Sequence, residues 1–368
     1  MKPTLLFTLI GGLLLVSCSA KPPVSAAPEV LTAQQDAAIE KEVTALDKAF
    51  PIENREPSQF PAYVELLKQH ALAQGIKPAT IERGFANIHF IERVVKADKG
   101  QPEKRATVTL DSYLKNVLPA SRINAGAEKY WENETALNEI SKRYGVPPQY
   151  IVSLWGLESG FGRSQGKEDV ISALATLSFE GRREALFSKQ LLAALEIMDK
   201  GYIPEDQQLK GSWAGAMGQS QFMPTSYLSY AADGDGDGKM DIWNNKADVF
   251  ASIANYLATE GWQSALPWGY QVSLPANFDK QLEGVKAEQA KTVAQWEKMG
   301  VKLPAFAKLA PDVKAWVVIP DDPKGRTYLV TENFRTIMHW NRSYYFALSV
   351  CLMADGVAQK IQERLPHG

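Results

Sequence analysis

The feature that most constrains this chain is a change in the spacing of its apolar residues near position 266. From about Ser58 to Trp262 they recur mainly at helical intervals, broken by Gly- and Pro-rich joints. Ser58 is placed to cap a first helix before Pro61-Ala62-Tyr63. A second opens at Pro78-Ala79-Thr80, with Ile81, Phe85 and Ile88 on one face. Trp131, Leu137, Ile140 and Tyr144 mark another, stopped by Gly145-Val146-Pro147-Pro148. Between about 266 and 333 the runs Gln271-Val272-Ser273-Leu274, Trp316-Val317-Val318-Ile319 and Tyr328-Leu329-Val330 read as short strands. From Ser343 to about Arg364 a long apolar-then-amphipathic helix closes the chain. The pattern predicts a mainly α (α+β) protein with one small β-containing subdomain. Its 45% hydrophobic content over 368 residues rules out disorder, collagen or coiled coil as the whole answer. A net charge of −2 gives no basic field for nucleic acid, and two Cys and four His argue against a disulfide scaffold or a zinc site.

The N-terminus reads differently from the rest. Met1-Lys2 is followed by an apolar run from Leu5 to Val16, too short to cross a bilayer as a helix but suited to a signal-peptide core. It ends in Leu15-Val16-Ser17-Cys18, which looks like a bacterial lipobox, with Cys18 as the acylated first mature residue. A plain secretory peptide cut near Ser17–Ala20 is the alternative. Ser19 follows the Cys, with no Asp there to favour inner-membrane retention, so the expectation is a lipoprotein of the outer membrane facing the periplasm. Several acyl chains anchor stably where one does so marginally. The expected organisation is a signal peptide at 1–17, a tether at 18–55 rich in Ala, Pro, Gln and Glu, and a helical N-terminal subdomain at 56–145. A helical core at 146–265, a small β-containing subdomain at 266–335 and a returning C-terminal segment at 336–368 complete it. Cys351 sits in an apolar helical stretch and is expected to be an inert core residue.

One acid stands out. Pro147-Pro148 open a helix where Pro costs nothing, and Ile151, Leu154 and Trp155 continue at i, i+3 and i+4. The next member of that stripe is Glu158. Burial and the negative end of a helix dipole both favour its neutral form, which is what a general acid needs. A helix-end Glu paired with Arg163 is the competing reading. The Gly-rich stretch from Gly160 to Lys167 imitates a phosphate loop, but its glycine spacing is wrong and Glu168 replaces the required Ser or Thr.

Three ordered blocks then carry a resemblance. Gly156-Leu157-Glu158-Ser159-Gly160-Phe161-Gly162, Ala173-Leu174-Ala175-Thr176-Leu177-Ser178-Phe179, and Gly211-Ser212-Trp213-Ala214-Gly215-Ala216-Met217-Gly218-Gln219-Ser220-Gln221-Phe222-Met223-Pro224 resemble the membrane-bound lytic murein transglycosylase B family, over nearly all of 58–362. The resemblance implies a lysozyme-like helical core and non-hydrolytic cleavage of the β-1,4 bond between N-acetylmuramic acid and N-acetylglucosamine, giving 1,6-anhydromuramoyl ends. It implies Glu158 as the single acid/base and needs no catalytic cofactor. It also implies Ser212 near the reacting acetamido group, Gln221, Phe222 and Met223 as groove wall, and Tyr113 and Tyr256 as sugar platforms. Arg182 and Arg183 would lie near charged groups of the substrate, and Asn341 would return to the site. Phe346 stands where relatives often have Tyr. The implied partners are peptidoglycan strands and, through Cys18, the outer membrane. A lysozyme-like muramidase using a distant Asp and an inactive wall-binding lipoprotein are the alternatives; ordinary glycosidases need two placed carboxylates.

Asp233-Gly-Asp235-Gly-Asp237-Gly238-Lys239-Met240-Asp241 has the spacing of an EF-hand loop. Carboxylates fall at positions 1, 3, 5 and 9, with the Lys239 carbonyl at 7. Asn244 stands where the closing Glu belongs, and Asp248 is the expected substitute. The reading is a structural Ca2+ site, with a solvated acidic turn as the alternative.

Overall fold

The computed structural model describes residues 55–100, 108–321 and 325–365. The signal segment 1–17, Cys18 and nearly all of the 18–55 tether lie outside the described residues.

Among the described residues the chain is mainly helical. In order come α1 (Phe60–Ala73), α2 (Pro78–Phe85), α3 (Glu92–Lys99), α4 (Leu110–Val117), α5 (Ala120–Glu132), α6 (Glu134–Tyr144) and α7 (Pro148–Ser159). After β1 (Glu168–Asp169) follow α8 (Val170–Glu180), α9 (Glu184–Asp199), β2 (Lys210–Gly211), α10 (Pro224–Tyr230) and α11 (Lys246–Thr259). The remainder is β3 (Gly269–Val272), β4 (Lys291–Thr292), α12 (Val293–Lys298), β5 (Lys314–Val318), β6 (Thr327–Val330), α13 (Glu332–Trp340) and α14 (Tyr344–Arg364).

Two helices form the centre. Every residue of α8 from Val170 to Phe179 is buried, and α7 is buried all round from Tyr150 to Gly156. A helix apolar on every side belongs inside a protein rather than on its surface. The apolar residues of α7 are therefore no stripe: Val152 and Ser153 are as buried as Ile151 and Leu154. Helix α9 packs along α8, while α14 lies along α7 and α5. Cys351 of α14 is buried and free, as an inert core thiol should be.

The antiparallel sheet has the order β3-β6-β5-β4. Alternation explains how it is covered on both faces. Ala315, Val317 and Leu329 face a small core with Val293 and Trp296. Trp316, Val318, Tyr328 and Val330 join the main helical core. The expected strands thus exist, and a two-residue strand, β4, extends the sheet.

Two helix boundaries differ from the sequence expectation. The helix expected from Trp131 to Tyr144 is two, broken at Asn133 with φ −128°. Ser58 lies inside a short 3-10 turn, and Gln59 precedes α1.

Candidate active site

Helix α7 ends abruptly beside its acid. Gly160, Phe161 and Gly162 have φ of 58°, 62° and 84°, so three successive residues are left-handed. Phe161 bears a Cβ there, a conformation that costs on the order of 1–2 kcal/mol and persists only when its surroundings hold it. They do. The Phe161 ring packs edge-on against Trp155 at 5.4 Å, and the Phe161 N–H donates to the Trp155 carbonyl at 3.2 Å. Ser159 Oγ accepts from the Gly162 N–H at 2.9 Å. Behind the turn, buried Gln219 accepts from Trp155 Nε1 and donates to the Trp243 carbonyl, both at 2.8 Å. The last turn of α7 is thereby tied to the segment that follows β2.

Glu158 is partly accessible, yet protein atoms crowd its carboxyl. Trp340 Nε1, at the end of α13, donates to Glu158 Oε1 at 2.7 Å. Burial pushes the Glu158 pKa up to about 7, and the indole hydrogen bond works against that rise. The competing partner Arg163 is exposed and donates its Nε to the Gly160 carbonyl at 2.9 Å instead.

The carboxyl opens on a cleft of about 400 Å³ whose lining includes Ser212, Trp213, Gln221, Arg93 and Glu168. Ser212 Oγ accepts from the N–H groups of Ala216 at 3.0 Å and Ala214 at 3.3 Å. With its lone pairs occupied, that hydroxyl is left with a proton to donate. Gln221 has φ 51°, and its Nε2 donates to the carbonyls of Gly218 at 2.8 Å and Gln165 at 3.2 Å. This fixes its amide and leaves Oε1 without a donor among the described residues. Glu168 is buried, with both oxygens engaged by Arg93 of α3, one of them at 2.5 Å.

The other expected residues are placed as follows. Met223 is partly exposed, but Phe222 is only 2% exposed and bridges Met217 through its backbone. Tyr256 is 8% exposed, its ring 4.7 Å from Trp340 and 4.3 Å from Tyr230. The expectation of a sugar platform at Tyr256 is corrected: little of the ring is left to stack on, and it supports Trp340. Phe222 also supports Trp340, at 5.3 Å, rather than presenting a wall face. Tyr113 of α4 sits on Tyr345 at 5.4 Å, and the immediate cleft is lined without it. Arg182 and Arg183 both close on Asp98, which is 1% exposed on α3, Arg182 Nε at 3.1 Å. Asn341 is exposed at the end of α13, and its neighbour Trp340 is the residue of that block that bonds Glu158. Sequence reading missed Trp340 and the Arg93–Glu168 pair. The block containing Trp340 was visible, but not which of its side chains turns inward.

In the aspartate loop the carboxylates of Asp233, Asp235 and Asp248 lie within 4.8 Å of one another. Gly236 and Gly238 are left-handed at φ 82° and 83°, and their N–H groups both point at Asp233. Asp248 is fully buried, and that burial, with Asp235 and Asp233 nearby, pushes its pKa up to about 6. Three hard oxygen donors, one of them on a buried carboxylate, fit a divalent cation such as Ca2+. Asp237 and Asp241, also expected as ligands, stand outside this group of three. Asp241 instead accepts from the N–H groups of Trp243 and Asn244, both at 2.9 Å, and Lys239 is exposed, its N–H bonded to Asp237.

Comparison with known proteins gives consistent results. The family model described as "Transglycosylase SLT domain" matches residues 59–355. The chain is 34% identical over 249 residues to membrane-bound lytic murein transglycosylase B of Escherichia coli K12, covering 67% of this chain and 66% of that protein. The match thus spans slightly under two thirds of the relative's length. A crystal structure of SltB3 from Pseudomonas aeruginosa in complex with NAG-anhNAM-pentapeptide is similar at TM-score 0.75 and 40% identity, covering 81% of this chain and 79% of that one. The Escherichia coli lytic transglycosylase Slt35 in complex with calcium is similar at TM-score 0.69 and 29% identity, covering 81% and 93%. No helix among the described residues is long and apolar enough to cross a membrane.

Proposed function

This chain belongs to the transglycosylase SLT domain family, and from that premise we propose that it cleaves the β-1,4 bond between N-acetylmuramic acid and N-acetylglucosamine in peptidoglycan without water. The observation that carries the reading is Glu158: a carboxyl raised to about 7, opening on a cleft, with one oxygen held by an indole N–H.

Because Trp340 Nε1 donates to Oε1, the proton of neutral Glu158 belongs on Oε2. That proton passes to the glycosidic oxygen as the C1–O bond breaks. The substrate's acetamido group stabilises the cationic centre, with the free Ser212 proton as a donor beside it. The carboxylate then takes the proton of the C6 hydroxyl as that oxygen bonds to C1, which closes the 1,6-anhydro ring and restores neutral Glu158. No water is consumed.

A hydrolytic reading has one observation in its favour, the second cleft carboxylate, Glu168. Its two oxygens are taken up by Arg93, which weighs against a nucleophile. Digestion of purified murein with wild type and Glu158→Gln, followed by mass spectrometry of the muropeptides, separates the possibilities. Wild type should give products lighter than the hydrolytic ones by one water, and the variant none. Anhydro products surviving in the variant would remove Glu158 from the mechanism, and hydrated products from wild type would favour the muramidase.

We also propose Asp233, Asp235 and Asp248 as ligands of a structural Ca2+ ion, which no step of this chemistry requires. The organisation into a helical N-terminal part, a lysozyme-like core carrying Glu158 and a β-containing insertion is proposed with it. So is lipid anchoring at Cys18 in the periplasmic face of the outer membrane, which the membrane-bound Escherichia coli relative supports.

A further inference from the structure

Trp340 reaches Glu158 from the last turn of α13, so their hydrogen bond is only as fixed as that helix end. The next residue, Asn341, is already extended, with φ −149° and ψ 118°. What holds the end lies outside the cleft. Glu260, the residue that closes α11, has a side chain 23% exposed, and the cleft is lined without it. Its Oε2 accepts from Nδ1 of His339, the neighbour of Trp340, at 2.7 Å. Its Oε1 accepts from the hydroxyl of Tyr230, at the end of α10. Its backbone carbonyl accepts from Thr336 Oγ1, one turn earlier in α13, at 3.4 Å.

Two routes therefore run from Glu260 to the indole. One follows the backbone of α13 from His339. The other passes through rings: Tyr230 lies 4.3 Å from Tyr256, and Tyr256 lies 4.7 Å from Trp340. Burial and the bond to Glu260 both raise the Tyr230 pKa, so the phenol keeps its proton and remains a donor. The helix itself gives no reason for an acid here, because a carboxylate at a C-terminus meets the negative end of the dipole. The three bonds across to α10 and α13 do.

We propose that Glu260 is a positioning residue for the acid: by fixing the end of α13 and the tyrosine pair beside the indole, it sets the Trp340–Glu158 hydrogen bond without touching substrate. The inference rests on the reading of Glu158 as the acid/base.

Glu260→Ala removes both side-chain acceptors. Glu260→Gln keeps an oxygen for Tyr230 and an amide that can donate to the other tautomer of His339. With the indole loosened, the ionised form of Glu158 loses a donor. The alkaline limb of kcat against pH should then move up by about half a unit in Glu260→Ala. Plateau kcat should fall about fivefold with KM within about twofold, because the cleft lining is intact. Glu260→Gln should restore most of both. Loss of a negative charge as such would move the limb down, equally in the two variants. In a Trp340→Phe background, Glu260→Ala should add no further shift. An additive shift, a downward one, or an unmoved limb beside a lower melting temperature would overturn the assignment. Tyr230→Phe cuts one tie and keeps every ring, so it guards against a Glu260→Ala chain that does not fold; it should move the limb the same way by less.

The last arm needs no activity. In protein labelled with 15N at tryptophan, the indole signal missing from Trp340→Phe belongs to Trp340. Its shift should follow the titration of Glu158 and stop doing so in Glu158→Gln. Glu260→Ala should move that signal towards free indole and raise the midpoint, whatever product the enzyme makes. A signal indifferent to Glu260→Ala would end the positioning role. A displaced signal in a protein that releases no anhydro product would uphold it and fault the catalytic reading alone.

Discussion

At the scale of the residue, the chemistry depends on how tightly Glu158 holds its proton. Two groups act on it in opposite directions: burial raises its pKa, and the Trp340 indole lowers it. Trp340→Phe keeps a ring against Phe222 and Tyr256 but removes the N–H. The ionised form then loses a donor, so the pKa should climb by about one unit. A general acid works only while protonated, so the alkaline limb of kcat against pH should move to higher pH by that amount. An unmoved limb would mean that the indole serves packing alone. The same proton has a cost for the fold. The native state binds it more tightly than the unfolded chain does, so this group's stability is full below about pH 4.5 and is lost as pH rises through about 7. Glu158→Gln, which cannot ionise, should therefore be more stable than wild type at pH 8 by roughly 2–3 kcal/mol, with the gap closing towards pH 4.5. Urea melts at the two pH values read the difference; equal gaps at both would show that the carboxyl is better solvated than its surroundings imply.

At the scale of the element, the decisive unit is the turn that ends α7, because it aims Glu158 away from the core. Gly162 combines φ 84° with a close approach to Gln219, whose Oε1 would lie 2.3 Å from an added Cβ. Gly162→Ala strains the backbone and displaces the amide that holds Trp155 Nε1, so it should cost roughly 2–4 kcal/mol and most of the activity. If thermal melting and anhydro-product release were both near wild type, the Gln219 tie would be dispensable. This turn was half visible in the sequence. The acid was legible because it interrupts an apolar run, and the glycines because they follow it at once. The α7 stripe was misread in form: with residues buried on every side, a 3.6-residue period carries no information about which face meets the site. The break between α5 and α6 was hidden because Asn133 is flanked by good helix formers, without Gly or Pro to mark it. Trp340 was hidden for another reason. Its bond to Glu158 spans 182 residues of sequence, and no local spacing encodes that distance. The same holds for Arg93 and Glu168, which meet across 75 residues.

At the scale of the whole molecule, the aspartate loop and the active site are parts of one framework. Asp248 of α11 accepts from the Asp241 N–H at 2.7 Å, and Asp241 in turn caps Trp243. The Trp243 carbonyl takes amide protons from Gln219 and Gln165, which reach the end of α7 and the Gln221 wall respectively. A cation on Asp233, Asp235 and Asp248 would therefore brace one side of the cleft from a distance without entering its chemistry. Calcium at a hundred times its dissociation constant adds about 2.7 kcal/mol to the native state, equivalent to roughly 3–4 °C in Tm for a chain of this size. Scanning calorimetry with calcium and with a chelator should show that shift, with the Glu158 limb of the pH profile unmoved. Asp248→Asn makes the prediction sharper. It removes a buried charge that repels Asp233 and Asp235, but its amide can accept only one of the two backbone bonds that the carboxylate takes from the Gly234 and Asp241 N–H groups, so the metal-free protein should not gain stability. It also removes a ligand, so the response to calcium should fall away. A variant that still responded fully to calcium would exclude Asp248 as the closing ligand. A wild type indifferent to both calcium and chelator would reduce the loop to a solvated acidic turn held by its own backbone N–H groups.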